Sequence, residues 1–440
     1  MSNIHPGRRL IVAGQLQRLN ALVQAILPAN PFYAARLQAA GAHGKLCASL
    51  SDFAANCPFT TKQDIAADQL ARPPYGTNLT FPIERYTRYH QTSGTMGTPI
   101  RWLDTPESWD GLVQSWLEVL QAADVTANDH LLFAFSFGPF IGFWLAFEAA
   151  SRLGALCIPA GGLAGSARLR MLRDLQATVL CCTPTYALHL AEAAAKEGVE
   201  LAPGQLRRLI VAGEPGGSIP ATRARLEKLW PGARVFDHHG MTEVGPVTHE
   251  CPDQPGVLHV IESAYLAEVI NPATGNAVAP GEIGELVLTT LGRTGSPLLR
   301  YRTGDLVKPG FDWRDSHTKP CACGRSTLTL QGGILGRTDD MVIVRGVNVY
   351  PSGVEEIVRA FPEVAEYQVS LAGANGLVEM ELRVEPTADC VDPSGLAQRL
   401  QRAFQAALSL RVPVTAVPPN SLPRFEMKGR RWVTSTAPGP

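Results

Sequence analysis

No stretch of the 440-residue chain reaches the roughly 18 unbroken apolar residues that a membrane-spanning helix needs. The opening segment, MSNIHPGRRLIVAGQLQRL, holds an apolar run of only about four residues (LIVA), too short for a secretory leader. A cytoplasmic protein with no membrane partner is the expectation. Charge of either sign is not in excess. With 39 Lys and Arg against 40 Asp and Glu the net charge is −1, so no whole-molecule attraction to nucleic acid or an anionic membrane is implied. Cysteine is sparse and odd in number, nine residues scattered through the chain, which argues for reduced thiols and against a disulfide framework. Cys47, Cys57, Cys157, Cys181, Cys182 and Cys390 sit in apolar or loop contexts and read as small hydrophobes. Internal repeats and low-complexity tracts are missing too, apart from a TSTAPGP tail.

What is present is a globular composition, 45% hydrophobic and 18% charged, in a chain long enough for two or more domains. Residues 106–122 repeat apolar side chains at helical spacing, with Thr105 as N-cap and Pro106 suited to the first helical position. Strands and helices then alternate: strands at 131–135, 155–159, 178–182, 206–213 and 233–240, helices at 139–153, 166–175, 183–198 and 218–230. Such alternation predicts an α/β fold with a parallel sheet covered on both faces and ligands at the carboxyl ends of its strands. The segments AGEPGGS (212–218) and HHGMTE (238–243) fall there. After residue 255 the texture changes to short strands and turns, a β-rich subdomain. Beyond GRTDD a smaller α+β unit follows, with helices at 351–361 and 393–409 and strands near 364–372, 377–384 and 412–417. The division is an N-terminal domain of residues 1–339, with parallel sheets covered by helices plus the β-rich subdomain, and a C-terminal domain of residues 340–440.

Several segments carry chemistry. Thr92, Ser93, Gly94, Thr95, Gly97 and Thr98 supply hydroxyls and exposed N–H groups, as a phosphate cradle needs, though alone they read equally as a polar turn between strands. Glu243, in a turn at a strand end, is a natural magnesium ligand or a solvated loop glutamate. Asp305 in TGDL can accept from both hydroxyls of a ribose, with Arg337 as partner, or be a turn aspartate. His239 is a candidate to stack on adenine, or simply packs at a strand end. Lys428, in LPRFEMKGRRW, can reach charge developing in a transition state, or belongs to a solvated basic tail.

Taken together, TSGTMGTP, AGEPGGS, HHGMTE, YRTGDL, GRTDDMVIVRGVNVYPSGVEEIV and LPRFEMKGRR resemble the adenylate-forming superfamily of acyl-CoA synthetases and luciferases. PFTTKQDI (58–65) and RGVNVYPSGVEE resemble the phenylacetate–CoA ligase family in particular. The resemblance implies ATP-dependent activation of a carboxylic acid as an acyl-adenylate, then thioester formation with coenzyme A. It also implies a small mobile lid. In these terms Thr92, Ser93, Gly94, Thr95 and Gly97 belong to the phosphate loop. Gly213, Glu214 and Pro215 border the adenine, with His239, Gly240, Met241 and Thr242 beside the nucleotide. Glu243 binds magnesium, Asp305 and Arg337 hold the ribose, Asp340 is the hinge and Lys428 the adenylation lysine. Thr92, Glu243 and Lys428 are the catalytic set. The chain departs from the pattern at Met96, for the usual threonine, at Thr98, for the usual lysine, and at His239, for the tyrosine common before Gly240.

Cys251, His259, Cys321 and Cys323 offer three thiolates and an imidazole, a set suited to tetrahedral structural zinc with no open position, or else three unrelated free thiols. The resemblance extends to relatives that carry such a zinc. FSFGPFIGFW (135–144), rich in aromatics, predicts an acid pocket for a flat ring, with Phe135, Phe137, Phe140, Gly213 and His238 as candidates, or a set of packing aromatics. The expected substrate is an aryl or arylacetic acid. Two other functions stay in view: transfer of the acyl group to a carrier-protein phosphopantetheine, and a non-catalytic zinc-stabilised scaffold. A homodimer is what the resemblance implies for the assembly.

Overall fold

The computed structural model describes residues 7–41, 47–92, 99–135, 137–200, 202, 204–315, 317–345, 347–374, 377–425 and 429–435. The alternating segment forms a five-stranded parallel sheet in the order Leu156–Pro159, His130–Phe133, Val179–Cys182, Arg208–Val211, Arg234–Asp237. Successive strand residues point to opposite faces, so the complete burial of Leu131, Leu132 and Phe133 in one strand shows that both faces are covered. The helices between the strands, Ile141–Leu153, Gly165–Asp174, Pro184–Glu197 and Pro220–Leu229, share one hydrophobic core with it. The helix Pro106–Ala122 starts as its sequence predicts: the Thr105 hydroxyl accepts from the Ser108 N–H and Pro106 stands at the start.

The β-rich part comprises two antiparallel sheets. One pairs Thr248–Glu250 with Val257–Val260 and Thr329–Gln331; the other orders Tyr265–Ile270, Gly284–Thr290, Tyr301–Val307 and Gly336–Arg337. Buried ion pairs tie these sheets to the N-terminal segments: Arg8 of the helix Arg8–Ile26 grips Glu262, and Arg300 holds Glu268 through two bonds of 2.9 Å while also donating to the Cys57 carbonyl.

The C-terminal part builds a separate mixed sheet from Val347–Val349, Val342–Val344, Leu377–Pro386, Val364–Ala374 and Trp432–Ser435, with Val414–Ala416 alongside Leu377–Pro386. Helices Pro351–Arg359 and Pro393–Leu408 join it. Its buried residues, from Val344 to Val414, form a core distinct from the main one, which runs from Leu19 to Leu330. No single helix among the described residues is long and apolar enough to cross a membrane.

Candidate active site

The strands Arg208–Val211 and Arg234–Asp237 lie side by side, so the turns that leave their carboxyl ends meet. Gly213 takes φ +97°, a left-handed conformation that side chains disfavour, and this reverses the chain at the strand end. The Ser218 hydroxyl donates to Asp237 Oδ2 and the His238 N–H donates to Asp237 Oδ1 at 2.9 Å, which pins the first turn to the second. On the far side, the His238 imidazole shares a hydrogen bond of 2.9 Å with the Thr248 carbonyl, which fixes the proton on Nδ1, and the His239 N–H donates to the Thr248 hydroxyl at 3.0 Å. His238 is buried with its ring 4.4 Å from that of Trp116; burial pushes its pKa down to about 4, so it is neutral near pH 7.

Asp305 enters from the strand Tyr301–Val307, directly opposite Arg337 in the sheet register. Arg337 Nη1 donates to Asp305 Oδ1 at 2.9 Å. The other oxygen, Oδ2, lies 3.1 Å from His239 Nε2, but off the line of a hydrogen bond, and both atoms are buried. Burial alone would raise the Asp305 pKa; the nearby His239 and Arg337, with the Arg337 hydrogen bond, outweigh it and hold the carboxylate below its ordinary range. Arg337 also donates to Asp339 at 2.8 and 3.1 Å and approaches the half-exposed Asp340 at 4.0 Å.

Glu243 is 7% exposed and its carboxylate lies 3.5 Å from Lys62 Nζ. Lys62 opens the helix Lys62–Ala71 and was not singled out from sequence; its signal was its place in PFTTKQDI. The Glu243 turn is held from below by Arg293, also unflagged. The Arg293 Nη1 donates to the Glu243 carbonyl at 2.5 Å, and its other nitrogens bind both oxygens of the buried Asp104 at 2.6 and 2.7 Å. Gly240 and Met241 pair with Gly245 and Pro246 in a short hairpin.

At Thr92 the chain is pinched. Its N–H donates to the Ile100 carbonyl at 3.0 Å and its hydroxyl accepts from the Ile100 N–H at 3.0 Å, so Thr92 and Ile100 stand side by side. Ser93, Gly94, Thr95, Met96, Gly97 and Thr98 lie outside the described residues, as does Lys428; Gly429 lies within them. The Glu214 carboxylate, in the turn expected to border the adenine, accepts from the Thr185 N–H at 2.8 Å and the Gly429 N–H at 2.7 Å.

Two of the aromatics proposed for the acid pocket pack against neighbouring hydrophobic side chains. Phe135 is 8% exposed within the main core, and Phe137 meets Trp144 and Phe147 edge-on at 5.1 and 5.6 Å. Phe140 precedes the helix Ile141–Leu153 and is partly buried. Cys251, His259, Cys321 and Cys323 converge, with all ligand atoms within 4.8 Å of one another. Cys251 and Cys321 sulfurs are 3.8 Å apart, Cys323 Sγ is 3.4 Å from His259 Nε2, and His259 Nδ1 is 2.9 Å from the Thr327 hydroxyl.

With this geometry in place, comparison with known proteins decides the family. Residues 92–292 match the AMP-binding enzyme family and residues 346–435 the AMP-binding enzyme C-terminal domain. A phenylacetate–coenzyme A ligase from Thermus thermophilus is 32% identical over 439 residues, covering 95% of each chain. The chain belongs to the phenylacetate–CoA ligase family. A second member, from Escherichia coli, is 31% identical and covers 95% of this chain and 93% of its own. Membership makes the protein an ATP-dependent, AMP-forming acid–thiol ligase that works through an acyl-adenylate. Among solved structures, 2-hydroxyisobutyryl-CoA ligase in its postadenylation state, with 2-HIB-AMP bound, superposes with a TM-score of 0.88 at 28% identity, covering 96% of this chain and 89% of that one. The same ligase in its thioesterification state, with 2-HIB-AMP and CoA, reaches only 0.70 at 29% identity, with the same coverage. As a whole, this phenylacetate–CoA ligase family member thus superposes better on the former than on the latter.

Proposed function

We propose that the acid is an aryl or arylacetic acid and that the nucleotide lies across the strand ends, between the Gly213–Pro215 turn and Asp305. The Asp305 carboxylate carries the placement of the nucleotide, and the likeness to phenylacetate–coenzyme A ligases at 32% and 31% identity supports the acid. One oxygen is fixed by Arg337; the other is buried with no aligned hydrogen bond, a costly state unless a ligand supplies the donor. The two hydroxyls of a ribose are such donors. His239 is next to that oxygen, where it serves the ribose as readily as the adenine.

In the first half-reaction the carboxylate of the acid attacks the α-phosphorus, the bond to the bridging oxygen breaks and pyrophosphate leaves. The phosphate loop from Thr92 cradles the departing group, and Lys428 reaches the charge developing on the acyl and phosphoryl oxygens. Magnesium, held at the oxygen donors of Glu243, would offset triphosphate charge; Lys62 contributes to the same balance. In the second half-reaction the thiol of coenzyme A attacks the acyl carbonyl, the carbon–oxygen bond to AMP breaks, AMP departs and the thiol proton passes to solvent. The C-terminal domain turns about Asp340 between the two steps.

Zinc is the structural ion proposed for Cys251, His259, Cys321 and Cys323. Tetrahedral zinc with bonds of about 2.3 Å to sulfur sets sulfurs about 3.8 Å apart, the separation of Cys251 and Cys321. The Thr327 hydroxyl, 2.9 Å from His259 Nδ1, would hold the ring with Nε2 toward the ion. Zinc content near one per chain is expected in protein purified without chelators, and content near zero would refute the assignment. The protein acts in the cytoplasm as a homodimer in this proposal.

Acid-dependent exchange between ATP and pyrophosphate tests the substrate, using phenylacetate, benzoate, 2-hydroxyisobutyrate and octanoate. Preference for either aromatic acid is expected; preference for octanoate or 2-hydroxyisobutyrate would overturn the choice. Free coenzyme A as an efficient acceptor distinguishes the ligase from a carrier-protein loader.

A further inference from the structure

The Glu214 carboxylate joins two parts of the chain that otherwise have separate cores. Its Oε1 accepts from the Thr185 N–H in the first turn of the helix Pro184–Glu197, where backbone donors lack partners within the helix and the helix dipole favours negative charge. Its Oε2 accepts from the N–H of Gly429, 215 residues away and the residue after Lys428. One oxygen is therefore anchored in the large domain and the other holds the Gly429 backbone.

The surroundings fit this grip. Pro215 and the positive φ of Gly213 restrict the turn that presents Glu214. Gly429 has no room for a side chain, since a Cβ would stand 2.5 Å from Arg431 Nη1 of its own domain and 3.2 Å from the Thr185 hydroxyl of the large domain. Arg431 itself donates to that hydroxyl at 3.1 Å while its Nε and Nη2 hold Glu366 at 2.7 and 3.1 Å. Further along the same helix, Glu192 accepts from Arg424 at 3.3 Å. Independently, the whole chain superposes better on a relative in its postadenylation state than on that relative in its thioesterification state, with TM-scores of 0.88 and 0.70.

We propose that Glu214 is a positioning residue: it latches Gly429, the residue after Lys428, to the large domain for adenylation and lets go when the C-terminal domain turns to form the thioester. The proposal rests on the ligase reading and on the role given there to Lys428. It assigns Glu214 to the first half-reaction alone, through the lysine and not through contact with substrate.

The test uses full-length Glu214→Ala and Glu214→Gln, the latter keeping size and one acceptor oxygen. Glu214→Ala should slow phenylacetate-dependent ATP–pyrophosphate exchange by about tenfold or more, as loss of a hydrogen bond to a charged acceptor implies, with KM for ATP nearly unchanged. Thioester formation from preformed phenylacetyl-adenylate and coenzyme A should hold within about twofold of wild type, a margin well below the effect of one such bond. Glu214→Gln should fall between. In nucleotide-free protein, backbone amide exchange in segment 429–433 should speed up in Glu214→Ala. Unchanged amide exchange there, an equal fall in both half-reactions, or a raised KM for ATP at unchanged kcat would each overturn the latch. Wild-type protein that activates none of the acids named above would instead sink the ligase reading and the lysine's role, while the amide exchange still decides whether Glu214 holds Gly429.

Discussion

At the scale of single residues, Asp305 shows how one carboxylate is readied for a ligand. Arg337 takes one oxygen, and the neighbouring positive charge keeps the group ionised despite complete burial. Asp305→Asn preserves the shape and removes the charge. KM for ATP should rise by about 10- to 100-fold, because a hydrogen bond to a charged group contributes about 1.5–3 kcal/mol and about 1.4 kcal/mol is a factor of ten. Pyrophosphate exchange at varied ATP checks this, and unchanged KM with lowered kcat would contradict the ribose role. The residues of this site were legible where partner and motif coincide: TGDL and GRTDD announce Asp305 and Arg337, and the sheet register pairs them. Glu214 was legible as part of a nucleotide-bordering turn but not as a bridge, because its partner Gly429 is distant in sequence and no local spacing encodes that pairing. Lys62 and Arg293 went unseen for the same reason, since each meets Glu243 only through the fold. The aromatic run left two readings open, a ring-binding pocket and a set of packing aromatics; Phe135 is buried and Phe137 meets its neighbours edge-on, and rings so packed can also wall a pocket.

At the scale of elements, the strand–helix alternation was readable because strands buried on both faces are short unbroken apolar runs and the intervening helices keep their own period. The exact strand end needed the structure. Residues 233–240 predict a strand entering a loop, and the strand stops at Asp237, where the His238 N–H still reaches the Val211 carbonyl and the His239 N–H turns to Thr248. That departure makes the site, because it swings His239 toward Asp305. The strand Thr248–Glu250 is consequently shared: it holds both histidines and leads directly to Cys251 of the thiol cluster. A second support is the buried Arg293–Asp104 pair under the Glu243 turn. Arg293→Met should cost about 3–5 kcal/mol of stability, since it leaves Asp104 buried without compensation. Denaturant unfolding measures this. A loss below about 1 kcal/mol, the scale of an exposed pair, would mean that Asp104 finds another partner or reaches solvent.

At the scale of the whole molecule, two cores joined by a handful of polar contacts should respond separately to acid. In the large domain His90 and His238 are buried and neutral, with burial holding each pKa near 4. Between that value and the unfolded value near 6.5, the unfolded chain binds more protons than the folded one, so stability drops as pH falls through this window. The C-terminal domain depends on carboxylates instead. Burial would raise the Glu355 pKa, but Arg359 and Arg431 overcome it and hold it at about 2, and Glu366 is lowered by the same two arginines. Stability from Glu355 is complete above the unfolded value near 4.5 and is lost as pH falls from there through about 2. Acid should therefore loosen the large domain first and the smaller one later. Tryptophan fluorescence reports mainly the large domain, because Trp432 is the only tryptophan after residue 340, while amide exchange in the helix Pro393–Leu408 follows the other core. The fluorescence change should begin between about pH 6.5 and pH 4, ahead of exchange in that helix. Coincident transitions would mean that the contacts through Glu214, Thr185 and Glu192 couple the two cores into one cooperative unit, and that the latch is far stronger than a reversible hinge can tolerate.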